Sequence, residues 1–287
     1  MEEVYGVAVV GGGIAGYTAA LTLKNLKVNA VWFGGKSYGE KLEKAEKVTN
    51  FPAFSGSGKE FSVRLEAQRK ENELVRTEKR IDGIYALGEK FLLTSGKESF
   101  YSYAVILATG VEYGSRFKGE AEFLGRGVSY CAVCDGALYR GKRVALIAAA
   151  PQFEEEAFYL ATFAREVLFV PLYQGGTVEG ERIKTLSRRP EEIMGGARVE
   201  KLRFSDGEEE VDGVFILRES QPPAALAGGL TTEGEKVPVS RKMETNLKGL
   251  FAAGDVTGRP YQYVKAAGEG SVAAYSAAEY LREIGRR

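Results

Sequence analysis

The chain has 287 residues, a length that suggests one large domain or two ordinary ones. Its hydrophobic content of 44% and charged content of 27% are typical of a soluble globular protein. Basic and acidic residues both number 39, so the charge gives no reason to expect nucleic acid or an anionic membrane as a partner. The sequence has no histidine, which excludes Ser-His and Cys-His catalysis and removes the commonest metal ligand.

The sequence also indicates where the protein works. No apolar run is long enough to cross a bilayer, and the acidic start Met1-Glu2-Glu3 lacks the basic region of a signal peptide. We therefore expect a cytoplasmic protein. In that compartment a Cys-x-x-Cys pair is more often catalytic than structural.

The first strong pattern is a strand, a glycine turn, a helix and a second strand. Val4–Val10 is a valine-rich run typical of a buried parallel strand, residues 15–26 have a helical pattern, and residues 28–33 read as the second strand. The turn matches G-x-G-x-x-G, whose glycines allow a tight turn, a close pyrophosphate and close helix packing, while the helix N-terminus offers N–H groups. This unit predicts dinucleotide binding, with the candidate residues Gly11, Gly13, Ile14, Ala15 and Gly16.

One part of that pattern is missing. An acidic residue usually ends the second strand and binds a ribose, whereas here the strand ends in Gly34 and Gly35. We expect the ribose contact to come from the backbone there or from the polar segment 36–41, which ends in Lys41.

The next hundred residues predict further parts of the same domain. Residues 49–56 have turn chemistry with aromatic anchors, 61–72 an amphipathic helical pattern, and 75–94 the pattern of strands with a turn near Gly88. Residues 103–107 are another buried strand, which ends in Ala108, Thr109 and Gly110. Such an apolar strand either serves only to build the core or, through the turn of small residues at its carboxyl end, also contributes to a ligand site.

Both cysteines of the chain lie in one short motif, Cys131-Ala132-Val133-Cys134, after a glycine-punctuated connector at 114–127. Such a pair closes into a small disulfide ring and lowers the pKa of one thiol. Asp135 follows at once and is a candidate proton carrier. A zinc site needs two further ligands, which only carboxylates or a second subunit could supply, so we predict redox chemistry and no metal site.

A second strand, helix and strand follow at 142–148, 153–164 and 166–171, so the nucleotide-binding fold is repeated. Its turn is Ala148-Ala149-Ala150-Pro151-Gln152-Phe153 and has no glycine. Alanine adds a Cβ where a phosphate would approach, and proline removes an N–H donor at the helix start. We therefore predict a nucleotide fold whose binding loop is lost.

The C-terminal third predicts a hairpin and a final ligand-facing turn. Residues 197–204 and 209–217 flank the turn signal at 205–207, and residues 221–234 are loop-like. A strand at 249–253 ends in Gly254 and Asp255, and a helix of small residues follows at 261–280. This is an ordinary turn or one that holds a ribityl hydroxyl and directs a helix N-terminus toward a flavin.

With these segments in place, the chain resembles the low-molecular-weight thioredoxin reductases over nearly its whole length. The resemblance rests on residues 11–16, 50–52, 108–110, 127–136 and 251–256, which occur in the family's order. The cysteine segment is its most specific part.

The resemblance implies an α/β fold with two Rossmann-like nucleotide-binding folds of the three-layer ββα type. An FAD-binding domain would comprise residues 1–112 and 242–287, and an inserted domain, residues 113–241, would carry the cysteines. It further implies a homodimer and a large rotation between the domains. The FAD-binding residues would be Gly11, Gly13, Ile14, Ala15, Gly16, Gly34, Gly35, Lys41, Asn50, Ala108, Thr109, Gly110, Gly254, Asp255, Gln262, Tyr263 and Val264.

The resemblance also implies catalytic roles for three residues. Cys134 would face the flavin, Cys131 would attack the disulfide of a thioredoxin or a thioredoxin-like protein, and Asp135 would be the acid and base.

The chain departs from the family where NADPH binds. The family has a glycine turn and then His-Arg-Arg after the next strand, whereas this chain has the alanine turn and Pro171-Leu172-Tyr173. This resembles the subset of the family whose flavin is reduced by ferredoxin, so we expect reduced ferredoxin to be the electron donor. The alternatives are a second flavin, a deazaflavin or weakly bound NAD(P)H as donor, and a flavin redox sensor without turnover.

Overall fold

The computed structural model describes residues 3–43, 45–110, 117–218, 222–234 and 236–286, with the backbone alone for residues 40 and 134. The chain divides into two compact units. Unit 1 comprises Met1–Glu112 and Ser220–Arg287, and unit 2 comprises Tyr113–Glu219. In the described residues, no helix combines the length and the apolar character needed to cross a membrane.

The N-terminal part of unit 1 builds a mixed sheet. Its elements are β1 (Val4–Val10), α1 (Ile14–Asn25), β2 (Ala30–Phe33), α2 (Glu40–Glu43), β3 (Val48–Phe51), β4 (Phe54–Gly56), α3 (Gly58–Glu71), β5 (Gly83–Leu87), β6 (Lys90–Ser95) and β7 (Glu98–Leu107). Strand β1 lies between β2 and β7 and runs parallel to both, while β5, β6 and β7 form an antiparallel meander. The strand expected from residue 75 begins only at Gly83, and Thr77 makes an isolated bridge to Phe33.

Unit 2 contains a parallel sheet and an antiparallel one. Its elements are β8 (Val128–Ser129), α4 (Ala132–Asp135), β9 (Arg143–Ala148), α5 (Glu155–Ala161), β10 (Glu166–Pro171), β11 (Ile183–Thr185), β12 (Pro190–Gly195), β13 (Val199–Phe204), β14 (Gly207–Glu210) and β15 (Gly213–Leu217). The parallel sheet has the order β11-β10-β9-β15-β8, and β12, β13 and β14 form the antiparallel sheet. The repeated nucleotide-binding fold, with two Rossmann-like sheets in one chain, is confirmed.

The expected hairpin is wrong in its second arm. Strands β13 and β14 do form a hairpin, but β14 ends at Glu210. Strand β15 pairs instead with β9 in the parallel sheet. The two segments have different environments: β14 is polar and mostly exposed, whereas every residue of β15 is buried. A Cβ on Gly213 would lie 2.2 Å from the Tyr139 ring, so this glycine lets β15 begin beneath that ring.

The chain then returns to unit 1 through α6 (Pro223–Leu226), β16 (Leu250–Ala252) and α7 (Tyr263–Glu283). Strand β16 runs parallel to β7 and pairs with its carboxyl half. The family resemblance implies a return at residue 242, whereas the structure groups the chain from residue 220 with unit 1. The reason is burial, since Leu226, Leu230 and Val237 pack in the core beneath the first sheet.

The first sheet is buried on both faces, as the apolar run of β1 predicts. Val7 and Val9 pack in a core shared with α1 and α7, while Ala8 and Val10 pack in a second core with β6 and α6. This two-sided burial fixes the register of β1, because a slip of one residue would exchange the two sets. The carboxyl ends of β1, β7 and β16 therefore meet at one edge of the sheet.

Helices α1 and α7 approach each other closely at a glycine. A Cβ on Gly270 would lie 2.2 Å from the carbonyl oxygen of Ala15, and a Cβ on Gly254 would lie 2.7 Å from the Ala15 Cβ. Because real Cβ atoms do not approach backbone oxygens so closely, the contact requires glycine at position 270.

We predict that Gly270→Ala lowers the free energy of unfolding by about 1–3 kcal/mol, the range typical of overpacking. The matched control is Gly268→Ala in the same helix, where no described atom lies within 4 Å of the added Cβ. The control should gain up to about 1 kcal/mol from helix propensity. Chemical denaturation measures both variants, and equal stabilities would contradict the close contact.

Candidate functional site

The glycine turn after β1 forms a narrow cradle. Gly11 has a φ of +134°, and a Cβ there would lie 2.1 Å from the carbonyl oxygen of Ala108. A Cβ on Gly16 would lie 2.0 Å from the carbonyl oxygen of Gly11. At Gly13 the nearest described atom would be 3.9 Å away, so the space before it is open. The backbone therefore packs tightly at Gly11 and Gly16, and the space in front of Gly13 is open to a phosphate.

The N-terminus of α1 faces the same space without a capping side chain from any described residue. The first N–H groups of the helix, those of Ile14 and Ala15 among them, have no partner within the helix by its geometry. An N-terminus of this kind attracts an anion through its N–H groups and its dipole.

The end of β7 contributes the neighbouring turn. The Ala108 N–H donates to the carbonyl oxygen of Val10 at 2.8 Å, which holds this turn against the end of β1. The Thr109 Oγ1 is buried and has no hydrogen-bond partner among the described residues. Gly110 follows with a φ of +73°. An unpaired buried hydroxyl costs free energy, so Thr109 indicates a ligand group at this position.

Lys41 and Asp255 join the loop after β2 to the turn after β16. The Lys41 Nζ lies 2.7 Å from Asp255 Oδ2 and donates to the Tyr261 carbonyl oxygen at 3.1 Å. It also lies 5.4 Å and 5.6 Å from the ring centres of Tyr261 and Tyr263. Gly254, just before Asp255, has a φ of +88° and donates its N–H to Glu269 at 2.9 Å.

The start of α7 completes this network. The Asn50 Nδ2 donates to Gln262 Oε1 at 2.7 Å, and the Tyr263 hydroxyl donates to the carbonyl oxygen of Lys41 at 3.1 Å. No described side chain caps α7, whose first turn includes the partly exposed Val264. The structure thus joins Lys41 and Asn50 to Asp255, Gln262 and Tyr263, partners that lie more than 200 residues away in the sequence.

The end of β2 is built without an acid, by backbone and an arginine. A Cβ on Gly34 would lie 2.6 Å from the Gly12 Cα, whereas one on Gly35 would meet no described atom within 4 Å. Arg76 Nη2 donates to the carbonyl oxygen of Lys36 at 2.6 Å, and its guanidinium lies 5.5 Å from the Trp32 ring centre. The sequence reasoning missed Arg76, because it lies outside every motif.

These features fit a dinucleotide. The cradle has an open side at Gly13, an orphaned buried hydroxyl at Thr109 and two uncapped helix N-termini, all at one edge of the sheet of unit 1.

The cysteine motif lies in unit 2, between β8 and β9. Cys131 is buried and disulfide-bonded, whereas the side chain of Cys134 lies outside the described part of the structure. The Ser129 hydroxyl donates to Asp135 Oδ2 at 2.7 Å and accepts the Cys131 N–H at 3.1 Å. The Asp135 N–H donates to the carbonyl oxygen of Cys131 at 3.2 Å. Asp135 is thus held beside the cysteine motif by Ser129, a residue that the sequence reasoning gave no role.

The turn after β9 makes contacts with other parts of unit 2. The Ala149 N–H donates to the carbonyl oxygen of Leu217 at 2.9 Å, and Phe153 is buried in the core of the unit. The Tyr173 hydroxyl donates to Glu154 Oε1 at 2.6 Å. Burial, and then this hydrogen bond to the Glu154 carboxylate, raises the pKa of Tyr173 above its usual range.

Acidic residues next to this turn repel a phosphate. Glu155 and Glu156 occupy the first turn of α5, directly after Glu154. A helix N-terminus that binds a phosphate uses its positive end, and adjacent carboxylates oppose that attraction. Among the described residues there is no group of three or more acidic or cysteine side chains that could hold a metal ion.

Comparison with known proteins agrees with this geometry. The family model described as pyridine nucleotide-disulphide oxidoreductase matches residues 5–173 and 177–270. The chain is 32% identical to a thioredoxin reductase of Bacillus subtilis, over 99% of this chain and 96% of the relative.

Solved structures give a similar result. A ferredoxin-flavin thioredoxin reductase from Clostridium acetobutylicum is 40% identical, with a TM-score of 0.93, over 99% of this chain and 100% of that chain. A thioredoxin reductase from Gloeobacter violaceus is 30% identical, with a TM-score of 0.74, over 98% of this chain and 95% of that chain. The chain therefore belongs to the pyridine nucleotide-disulphide oxidoreductase family and is a flavoprotein disulfide oxidoreductase of the thioredoxin reductase type.

Proposed function

We propose that this protein reduces the disulfide of a thioredoxin or a thioredoxin-like protein through Cys131 and Cys134, with FAD as cofactor and reduced ferredoxin as electron donor. One observation carries the proposal: a disulfide-bonded cysteine motif lies in a unit whose second nucleotide turn has alanine in place of glycine and has Tyr173 bound to Glu154 beside it. The first feature supports the reaction, and the second supports the choice of donor.

Unit 1 is the proposed FAD-binding domain. Gly11, Gly13 and Gly16 and the α1 N-terminus would hold the pyrophosphate, and Gly34 and Gly35 would lie near the adenosine ribose. Thr109 and Asp255 would bind polar groups of the flavin half. The remaining proposed contacts are Ile14, Ala15, Lys41, Asn50, Ala108, Gly110, Gly254, Gln262, Tyr263 and Val264. Bound there, FAD would supply the electron pair for reduction of the cysteine disulfide.

The cysteines carry out the exchange with the partner. The Cys131 thiolate attacks one sulfur of the partner's disulfide and displaces the other as a thiolate, which leaves a mixed disulfide. Cys134 then attacks Cys131, which re-forms the disulfide of this protein and releases the partner as a dithiol. Asp135, oriented by Ser129 at 2.7 Å, protonates the first departing thiolate and then takes the proton of Cys134, while water protonates the second thiolate.

Three observations support ferredoxin over NADPH. The loop that would hold a pyrophosphate is alanine, and acidic residues begin α5. The segment after β10 has no arginine for a 2′-phosphate, whose charge-assisted hydrogen bonds are worth about 1.5–3 kcal/mol each. The structure from Clostridium acetobutylicum, with a TM-score of 0.93, is that of a ferredoxin-flavin enzyme.

The protein is also proposed to be a homodimer. Val264, Val272 and Tyr275 are exposed on α7 at spacings that place them on one side of the helix. A second copy covering this side would remove these apolar side chains from water.

We predict that Thr109→Val weakens FAD binding about tenfold, because one hydrogen bond is worth about 0.5–1.5 kcal/mol. Without FAD the same variant should be at least as stable as the parent, since it removes an unpaired buried hydroxyl. The matched control is Thr94→Val on β6, where the hydroxyl is also buried and unpaired among the described residues. Flavin fluorescence titration gives both affinities, and equal losses in the two variants would contradict a contact at Thr109.

We predict that Cys131→Ser abolishes thioredoxin reduction and leaves FAD binding unchanged. The assay supplies reduced ferredoxin and follows the appearance of thioredoxin thiols under anaerobic conditions. The serine hydroxyl of the variant stays protonated near neutral pH, whereas a thiolate is the species that opens a disulfide. Turnover by this variant above one hundredth of the parent rate would refute the assignment of Cys131.

A further inference from the structure

Glu120 lies in a fully buried hydrogen-bond network of unit 2. Its carboxylate is 0% exposed and accepts four hydrogen bonds, two at each oxygen. Arg218 Nη1 and the Tyr130 hydroxyl donate to Oε1, both at 2.8 Å. Arg218 Nη2 at 2.9 Å and the Phe117 N–H at 3.0 Å donate to Oε2. Every acceptor direction of this carboxylate is therefore used.

The members of this network come from three separate parts of the chain. Phe117 is the first described residue after the chain enters unit 2, and Arg218 is the last described residue before it leaves. Tyr130 directly precedes Cys131. Strands β8 and β15, which end just before Tyr130 and Arg218, are parallel neighbours in the sheet, so these two side chains start from adjacent strand ends. The network thus connects residues from the beginning and the end of unit 2 to the redox motif.

We propose that Glu120 and Arg218 form a buried clamp that positions the redox disulfide of unit 2 through Tyr130. The proposal rests on the proposed function, because it concerns the disulfide of that reaction. Glu120, Arg218 and Tyr130 are positioning residues, since they act on Cys131 through the backbone.

The clamp has a chemical consequence for the disulfide. A cysteine held rigidly beside its partner has a high effective concentration toward it, which favours the closed disulfide over the dithiol. Two hydrogen bonds restrain Cys131. The preceding residue, Tyr130, donates its hydroxyl to Glu120, and the Cys131 N–H donates to the Ser129 hydroxyl. Loosening the Tyr130 side lowers that effective concentration and shifts the equilibrium toward the dithiol.

The test is the redox equilibrium of the cysteine pair with glutathione. Two glutathione thiols give two electrons and two protons to the disulfide, which yields the protein dithiol and glutathione disulfide. Tyr130→Phe removes one hydrogen bond and leaves the ion pair intact. We expect it to shift this equilibrium at least threefold toward the dithiol, or about 14 mV for two electrons. Alkylation of free thiols and mass spectrometry measure the reduced fraction.

The matched control is Tyr173→Phe, which deletes another tyrosine–glutamate hydrogen bond of the same unit, 2.6 Å long and not joined to the cysteines. It should leave the glutathione equilibrium unchanged while lowering the thermal midpoint as much as Tyr130→Phe does. An unchanged equilibrium in Tyr130→Phe, or an equal shift in the control, would overturn the clamp.

A second variant tests the ion pair itself. Removing one partner would leave a buried charge and threaten folding, whereas Glu120→Leu with Arg218→Met replaces both by apolar side chains of similar volume. This double variant should fold and shift the equilibrium in the same direction as Tyr130→Phe. A folded double variant with the parent equilibrium would overturn the proposal. Because glutathione needs neither ferredoxin nor thioredoxin, a thioredoxin assay on the same samples tests the proposed function separately.

Discussion

The structure of unit 1 depends on the contact between the first turn of α1 and the ends of β1 and β7. Gly11 and Gly16 stand where a Cβ would lie about 2 Å from a backbone carbonyl oxygen, so no other residue fits without moving the backbone. This contact brings the helix N-terminus down onto the strand ends and leaves Gly13 facing open space. Gly270 repeats the requirement on the other side of α1, where α7 closes against Ala15.

In unit 2 the strands around the turn after β9 are arranged as those around the turn after β1, but the turn itself has alanine instead of glycine. Alanine at 148–150 can be accommodated because the backbone there is extended, with a φ of −154° at Ala150, and no left-handed conformation is needed. Beside this turn, Phe153 packs in the core of the unit and the Tyr173 hydroxyl donates to Glu154.

The sequence predicted the fold well where the signal is local. The bounds of β1 and β10 agree with the predicted ones, because a buried apolar run flanked by turn residues defines both ends. The predicted fold class and family are confirmed. The split of the 209–217 segment was missed although Asp212 and Gly213 form the same Asp-Gly turn signal as Asp206 and Gly207.

The site was predictable only in part, for a physical reason. The turns around Gly13, Thr109 and Asp255 are short motifs, and each is legible in one stretch of sequence. The pairing of Glu120 with Arg218 joins residues 98 apart, and the approach of Arg76 to Lys36 joins residues 40 apart. Such contacts leave no periodicity or spacing in the sequence, so only the folded chain reveals them.

The central claim is that electrons reach the cysteine pair from a one-electron protein carrier and not from a pyridine nucleotide. The most direct measurement is the flavin absorbance of the purified protein under anaerobic conditions, after separate additions of NADPH, NADH and reduced ferredoxin. We expect reduced ferredoxin alone to bleach the absorbance. Bleaching by micromolar NADPH within seconds would contradict it, and would mean that the alanine turn and the segment after β10 still bind the nucleotide.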